Sequence, residues 1–231
     1  MDIDFQVVDD PAGVAVDRMA EAVAAGGHLV VTGGSTPRKA YERLAERELD
    51  WSGATVWFSD DRCVPPDHEH SNYGMVKAAL LDRVEGIRAE RMLGELGPSE
   101  GADDYEKRLR AVFGEATPEM DLMLLGLGPD AHICSLWYGD DALAEHDRVA
   151  TGVETAGMAP FVSRITLTLP VVNAAKAIVF LVTGEDKVGA VVRAFSGHPD
   201  PRAPGSLVRP TSGSLTVILD AAAAAGLEAA R

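Results

Sequence analysis

His132 carries the most evident chemistry in the chain. It stands just past a short apolar run, residues 121–125 (DLMLL), and a turn built from Gly126, Gly128, Pro129 and Asp130. A bounded apolar run of this kind reads as a buried strand of a parallel sheet. Open α/β sheets gather their ligands at the carboxyl ends of such strands. An imidazole there suits proton transfer. The plainer alternative is a histidine that only closes a turn, and the other strand ends decide between the two.

A second strand end is unusual as well. Residues 28–32 (HLVVT) run directly into Gly33, Gly34, Ser35, Thr36 and Pro37, with a helical pattern after them. A strand, a glycine turn, two hydroxyls and a helix start together offer backbone N–H groups to an anion. The glycines permit close approach, and Ser35 and Thr36 either cap the helix or bond phosphate oxygens. This is not a nucleotide P-loop, because GxxxxGK[ST] is absent. A third strand, residues 55–59 (TVWFS), ends in Asp60, Asp61 and Arg62. Successive residues leaving a strand point in opposite directions, so the two carboxylates have different jobs. One faces the pocket and one holds the loop; the sequence leaves open which.

Three other readings are weaker. Residues 126–131 (GLGPDA) satisfy G-x-G-x-x-[GA]. They lie in mid-chain, however, with a proline inside, and a lone dinucleotide fingerprint is a weak signal. Cys134 beside His132 suggests a nucleophile–base pair, yet no third group to orient the base is evident, and Cys63 and Cys134 read better as small buried hydrophobes. Asp67, His68, Glu69 and His70 resemble metal ligands by type, but adjacent loop side chains rarely converge on one ion. No metal is expected.

The positioning elements alternate. A strand at 5–8 leads to a helix capped by Asp10 and opened by Pro11, with Val16, Met19, Ala20 and Val23 on its buried face until Gly26 and Gly27. The helix after the glycine turn buries Tyr41, Leu44 and Ala45. Ser71 and Asn72 start a helix reaching Leu81. Residues 83–97 read as a linker with one strand near Met92. A helix over 99–113 buries Ala102, Tyr105, Leu109 and Val112. Residues 164–169 (RITLTL) alternate as a half-buried strand does. A short helix at 170–175, a buried strand at 177–182 and a helix from Gly184 and Lys187 to Ser196 follow. A brief strand at 206–208, a last strand at 215–219 and an alanine-rich helix capped by Asp220 close the chain. The expected fold is therefore α/β: a doubly wound, mainly parallel sheet with helices on both faces, forming one domain over residues 1–231. In such a sheet the loops at 33–36, 60–62 and 128–132 meet at one switch point.

Composition sets the remaining limits. A net charge of −15 argues against a nucleic-acid or anionic-membrane surface. No apolar run reaches membrane-spanning length, the Met-Asp-Ile-Asp start lacks a basic signal-peptide region, and two cysteines make no disulfide framework. A reduced cytoplasmic protein, monomeric or weakly self-associating, is expected. If its ligand is an anion, a few basic residues must converge locally.

Taken together, the motifs resemble those of the 6-phosphogluconolactonases, relatives of glucosamine-6-phosphate deaminases and ribose-5-phosphate isomerases. The matching pieces are 33–37 (GGSTP), 58–62 (FSDDR), Val64-Pro65 with 71–73 (SNY), and 125–132 (LGLGPDAH). Ser135-Leu136, 164–170 (RITLTLP), 182–184 (VTG) with Lys187, and Leu219-Asp220 complete the set. The family usually reads Asp-Gly-His-Thr-Ala-Ser-Leu-Phe-Pro where this chain has 130–138 (DAHICSLWY), and Asp-Glu-Arg where it has Asp60-Asp61-Arg62. A positive φ at Ala131 would cost about 1–2 kcal/mol against glycine.

The resemblance implies hydrolysis of 6-phospho-D-glucono-1,5-lactone to 6-phosphogluconate, without cofactor or metal. It implies His132 as the general base, and Asp60 orienting it or holding a sugar hydroxyl. Arg62 and glycine-turn amides would stabilise the developing oxyanion. Ser35, Thr36, Arg164 and Lys187 would grip the phosphate, with Gly33, Gly34, Ser71 and Asn72 at the same pocket. On residue type alone, Arg164 and Lys187 read as solvated surface charges. The rival enzyme is a glucosamine-6-phosphate deaminase, which carries a proton-transferring Glu where this chain has Trp137 and an aromatic where it has Arg62. A binding-only sugar-phosphate relative is the rival from outside enzymology.

Overall fold

Apolar runs long enough for strands but bounded by caps and glycines fold here as alternating strands and helices. The computed structural model describes residues 3–227. Its elements begin β1 (Asp4–Val7), α1 (Pro11–Ala24), β2 (His28–Val31), α2 (Ser35–Leu44), β3 (Thr55–Phe58), β4 (Asp60–Arg62) and α3 (Asn72–Ala79). They continue β5 (Arg88–Glu90), α4 (Pro98–Phe113), β6 (Leu122–Leu125), β7 (Ala150–Val153) and β8 (Arg164–Leu167). The last are α5 (Leu169–Ala174), β9 (Ala177–Val182), α6 (Val188–Phe195), β10 (Ser214–Leu219) and α7 (Ala221–Ala224).

Seven strands form one sheet in the order β1-β10-β9-β6-β2-β3-β5, and every pairing in it is parallel. The chain winds outward from β2 through β3 to β5. It then crosses back to β6 on the other side of β2 and continues to β9 and β10. Right-handed crossovers therefore put α1, α2 and α3 on one face and α4 and α6 on the other. The reversal falls between β2 and β6, the switch point where a crevice opens at the carboxyl ends of the strands.

Two buried tyrosines fix where strands leave the sheet. Tyr41 of α2 accepts from Thr32 N at 2.9 Å and donates to Thr32 O at 2.9 Å. Tyr105 of α4 does the same for Phe58, at 2.8 and 3.1 Å. Each phenol satisfies backbone groups that lose their ladder partners as the chain turns away. Thr32 immediately precedes the glycine turn, and Phe58 stands one residue, Ser59, short of β4 with its two carboxylates.

Several expectations are corrected. Residues 60–62 form a strand rather than a loop, pairing with β8 in a second, antiparallel sheet of order β4-β8-β7. β8 is buried on both faces instead of alternating, because α4 lies against it: a Cβ on Gly101 would come 2.3 Å from Ile165 Cδ1. Val112 is 53% exposed, so the buried stripe of α4 ends at Leu109. The strand expected near Met92 is β5, a few residues earlier. Residues 204–207 form a 3-10 turn where a brief strand was expected; Pro204 favours the turn. Ser71 caps α3 and Asp220 caps α7 as expected; the helix spans Ala221–Ala224, and the part of the expected alanine-rich helix beyond Leu227 falls outside the described residues.

Candidate active site

The loops after β2, β6 and β9, with the start of the second sheet, enclose a cleft of about 310 Å³ at the switch point. Gly33, Gly34, Ser35, Thr36, Asp60, Arg62, Asn72, His132, Arg164 and Lys187 all line it. Ser71 does not. Its hydroxyl accepts from Gly74 N at 3.0 Å and lies 3.3 Å from Asp61, so it serves the α3 cap.

The turn at 128–132 is tightly made. Gly128 N donates to His132 O at 2.9 Å, and Ala131 N donates to Gly128 O at 2.9 Å. A Cβ at Gly128 would stand 2.1 Å from His132 Nδ1, so only glycine leaves room for the ring. Ala131 adopts φ 66°, the positive value that glycine holds more cheaply. Its Cβ is fully buried, which offsets part of that cost.

The carboxylate on His132 is Asp130, not Asp60. Asp130 Oδ1 sits 2.5 Å from His132 Nδ1 and accepts from His132 N at 3.1 Å. Burial pushes Asp130 up, but the histidine ring outweighs it and holds the carboxyl at about 2. An ionised carboxylate only accepts, so Nδ1 carries the proton and Nε2 is left with the basic lone pair. The imidazole is 14% exposed and packs on the Trp137 ring, centroids 4.7 Å apart. Spacing of i and i+2 across a glycine-proline turn was the available signal for Asp130.

The two neighbouring aspartates divide as the strand geometry requires. Asp61 accepts from Arg62 N (2.7 Å), Asn72 N (2.6 Å) and Tyr73 N (2.9 Å), binding β4 to α3. Burial pushes its carboxyl up to about 6 against those three donors. Asp60 faces the cleft and accepts from Ser59 Oγ and Ser135 Oγ, each at 2.7 Å. Asn72 Nδ2 donates to Asp60 O at 2.9 Å.

Cations without carboxylate partners surround this centre. Arg62 and Arg164 are register partners across β4 and β8, which sets them side by side. Arg164 is 3% exposed and donates to Pro160 O at 2.9 Å and Val162 O at 3.2 Å. Burial, then the Arg62 charge, lowers its pKa. Arg62 donates to His70 O at 2.6 Å. Lys187 donates to Leu127 O at 2.9 Å. Among the described residues none of the three makes an ion pair.

In the same cleft α2 starts after its N-cap Gly34 (φ 114°), with no side-chain cap. Its first N–H groups and the positive end of its dipole are open to an anion. Thr36 Oγ1 lies 3.0 Å from Thr183 Oγ1, a cleft residue at the end of β9 that belongs to the 182–184 motif but carries no role in the sequence reading. Gly33 packs so closely that a Cβ would fall 2.0 Å from Asn72 Oδ1. Gly33→Ala is therefore expected to destabilise the fold by about 1–3 kcal/mol through overpacking. Urea unfolding measures it, and a midpoint equal to wild type would refute the tight approach.

Residues 67–70 form no metal-ligating cluster, and no group of three or more such side chains gathers among the described residues. No helix among them is long and apolar enough to cross a membrane.

Residues 5–217 match the family described as glucosamine-6-phosphate isomerases/6-phosphogluconolactonase. A 6-phosphogluconolactonase of Nostoc is 39% identical over 207 residues, covering 86% of this chain and 84% of the relative. One of Synechocystis is 35% identical over 228 residues, covering 94% and 93%. The solved 6-phosphogluconolactonase from Trypanosoma cruzi superimposes with a TM-score of 0.88 at 27% identity, covering 98% and 97%. A monomeric glucosamine-6-phosphate deaminase shares the fold, with a TM-score of 0.83 at 18% identity.

Proposed function

The chain belongs to the glucosamine-6-phosphate isomerase/6-phosphogluconolactonase family, and on that premise we propose that it acts as a single catalytic domain hydrolysing 6-phospho-D-glucono-1,5-lactone to 6-phosphogluconate. The observation that carries this reading is the Nε2 of His132, its ring held by Asp130, in a cleft that also presents cations without ion-pair partners and open N–H groups.

Lactone hydrolysis needs a base for water, a stabiliser for the oxyanion and a grip on the phosphate. His132 Nε2 takes a proton as water attacks C1, and Asp130 stabilises the imidazolium that results. Arg62 and turn amides offset the negative charge on the carbonyl oxygen. When the C1–O5 bond breaks, the imidazolium returns its proton to O5, and the carboxylic acid product ionises. Asp60, its carboxylate already receiving two serine hydroxyls, has lone pairs left for a sugar hydroxyl. Ser35, Thr36 and the α2 N-terminus bind the phosphate with Lys187 and Arg164.

Against a deaminase stands Trp137, an indole that transfers no proton, where the deaminase pattern carries a Glu. The test is hydrolysis of freshly made 6-phosphogluconolactone, with the spontaneous rate subtracted. A rate no greater than buffer, with ammonia released from glucosamine 6-phosphate, reverses the assignment. The same null rate with tight 6-phosphogluconate binding would make the protein a binding-only relative.

Asp130→Asn keeps the shape of the turn but removes the charge behind the imidazolium. It is expected to lower kcat about tenfold to a hundredfold, as losing an orienting carboxylate does in a His-based site. Steady-state kinetics with KM within threefold of wild type is the expected pattern; unchanged kcat would remove Asp130 from the mechanism.

A further inference from the structure

Ser135 is fully buried three residues beyond His132, and it does not line the cleft. It stands at the tip of a second tight turn, closed by Leu136 N donating to Ile133 O at 2.9 Å, in which Cys134 takes φ 49°. A non-glycine residue at positive φ persists only where surrounding contacts hold it there. Ser135 supplies such contacts. Its N donates to Thr166 Oγ1 at 3.2 Å, and its Oγ donates to Asp60 Oδ2 at 2.7 Å. Asp60 and Thr166 are register partners across β4 and β8, so their side chains emerge side by side on one face. One serine is thus gripped at both of its donors by one cross-strand pair.

That grip reaches the cleft through Asp60, which does line it. A hydroxyl has a single proton, so Ser59 and Ser135 each spend theirs on this carboxylate, one on Oδ1 and one on Oδ2. Both serines are fully buried, and Asp60 is 4% exposed. Water does not compete for these bonds. The two anchors come from different places: Ser59 adjoins Asp60 in the chain, whereas Ser135 belongs to the loop that carries the base.

We propose that Ser135 is a positioning residue of the site: by hooking the His132 loop onto Asp60, it aims the carboxylate that receives a sugar hydroxyl and sets its separation from the base. This rests on the sugar-phosphate reading above and deepens it. Without the Ser135 hydroxyl, Oδ2 loses its donor and Asp60 keeps one side-chain anchor instead of two. The carboxylate is then free to turn about the Ser59 bond, and its contact with the sugar weakens in ground and transition states alike.

The test is a double-mutant cycle of Ser135→Ala with Asp60→Ala. Ser135→Ala alone is expected to raise KM for 6-phosphogluconolactone about tenfold. It weakens calorimetric affinity for 6-phosphogluconate by a similar factor, a change of about 1.4 kcal/mol. With kcat within about threefold of wild type, that pattern is lost uniform binding. The pH profile of kcat/KM does not move, because His132 and Asp130 keep their bond. In the Asp60→Ala background, removing the Ser135 hydroxyl changes KM and product affinity by less than twofold. Losses of equal size in both backgrounds would overturn the proposal, since Ser135 would then act on the fold of its turn and not through Asp60. So would a displaced pH profile, or KM and product affinity within twofold of wild type in the single variant. Ser135→Cys, close in size but only a weak S–H donor, runs the same cycle with the same criteria if the alanine variant does not fold. If wild type fails to hydrolyse the lactone, the lactonase reading falls separately, and the cycle read through 6-phosphogluconate affinity still decides whether Ser135 works through Asp60.

Discussion

His132→Ala is expected to lower kcat for 6-phosphogluconolactone about 10²- to 10⁴-fold, the usual contribution of a positioned general base. The strained ring ester is electrophilic unaided, so the residual rate comes from Arg62, the turn amides and the phosphate grip. Those groups do not touch the imidazole through any hydrogen bond; the ring's polar partner is Asp130. Affinity for 6-phosphogluconate, by calorimetry, should therefore stay within a few-fold. The ring is small and partly exposed, so the variant should fold. Initial rates by pH-stat, corrected for spontaneous opening, give the answer. A variant keeping more than a tenth of wild-type kcat would remove His132 from the role of base.

The second large effect belongs to Lys187. Its Nζ spends one proton on Leu127 O, leaving two for an anion in the cleft that the start of α2 also lines. Charge-assisted hydrogen bonds contribute about 1.5–3 kcal/mol each. Lys187→Ala is accordingly expected to raise KM for the phosphorylated lactone by about a hundredfold or more. Glucono-1,5-lactone, which has no phosphate, should be hydrolysed by wild type and variant at rates within threefold of each other. The comparison separates two roles for one side chain. Equal losses on both lactones would mean that the bond to Leu127, and through it the His132 turn, is what Lys187 maintains.

Much of the architecture was legible because parallel strands buried on both faces leave continuous apolar runs. β2, β3, β6, β9 and β10 all lie where such runs occur, between glycines and caps. The glycine turn before α2 was legible for a similar reason, since few other residues permit an uncapped helix start so close to a strand. What escaped were features set by distant packing. Nothing local in residues 60–62 announces a strand; β4 exists because β8 pairs with it from a hundred residues away. The burial of β8 depends on α4, and the exposure of Val112 on where α4 runs past the end of that contact. The Asp130 partner of His132 is hard to read from sequence because another strand end also carries carboxylates, although the tight turn makes the near one easier to reach. Ser71 was assigned to the pocket by likeness, while its hydroxyl is committed to the helix beneath it.

The cleft takes its lining from both sheets: the glycine turn and Lys187 follow strands of the parallel one, and Arg62 and Arg164 lie in strands of the small antiparallel one. The two sheets already meet at Ser59, whose N donates to Val31 O at 2.8 Å and whose O accepts from Leu167 N at 2.8 Å. A ligand held from both sheets would add a further link, and hydrogen exchange is then expected to show the protection of β4 and β8 rising together with that of β2 and β9.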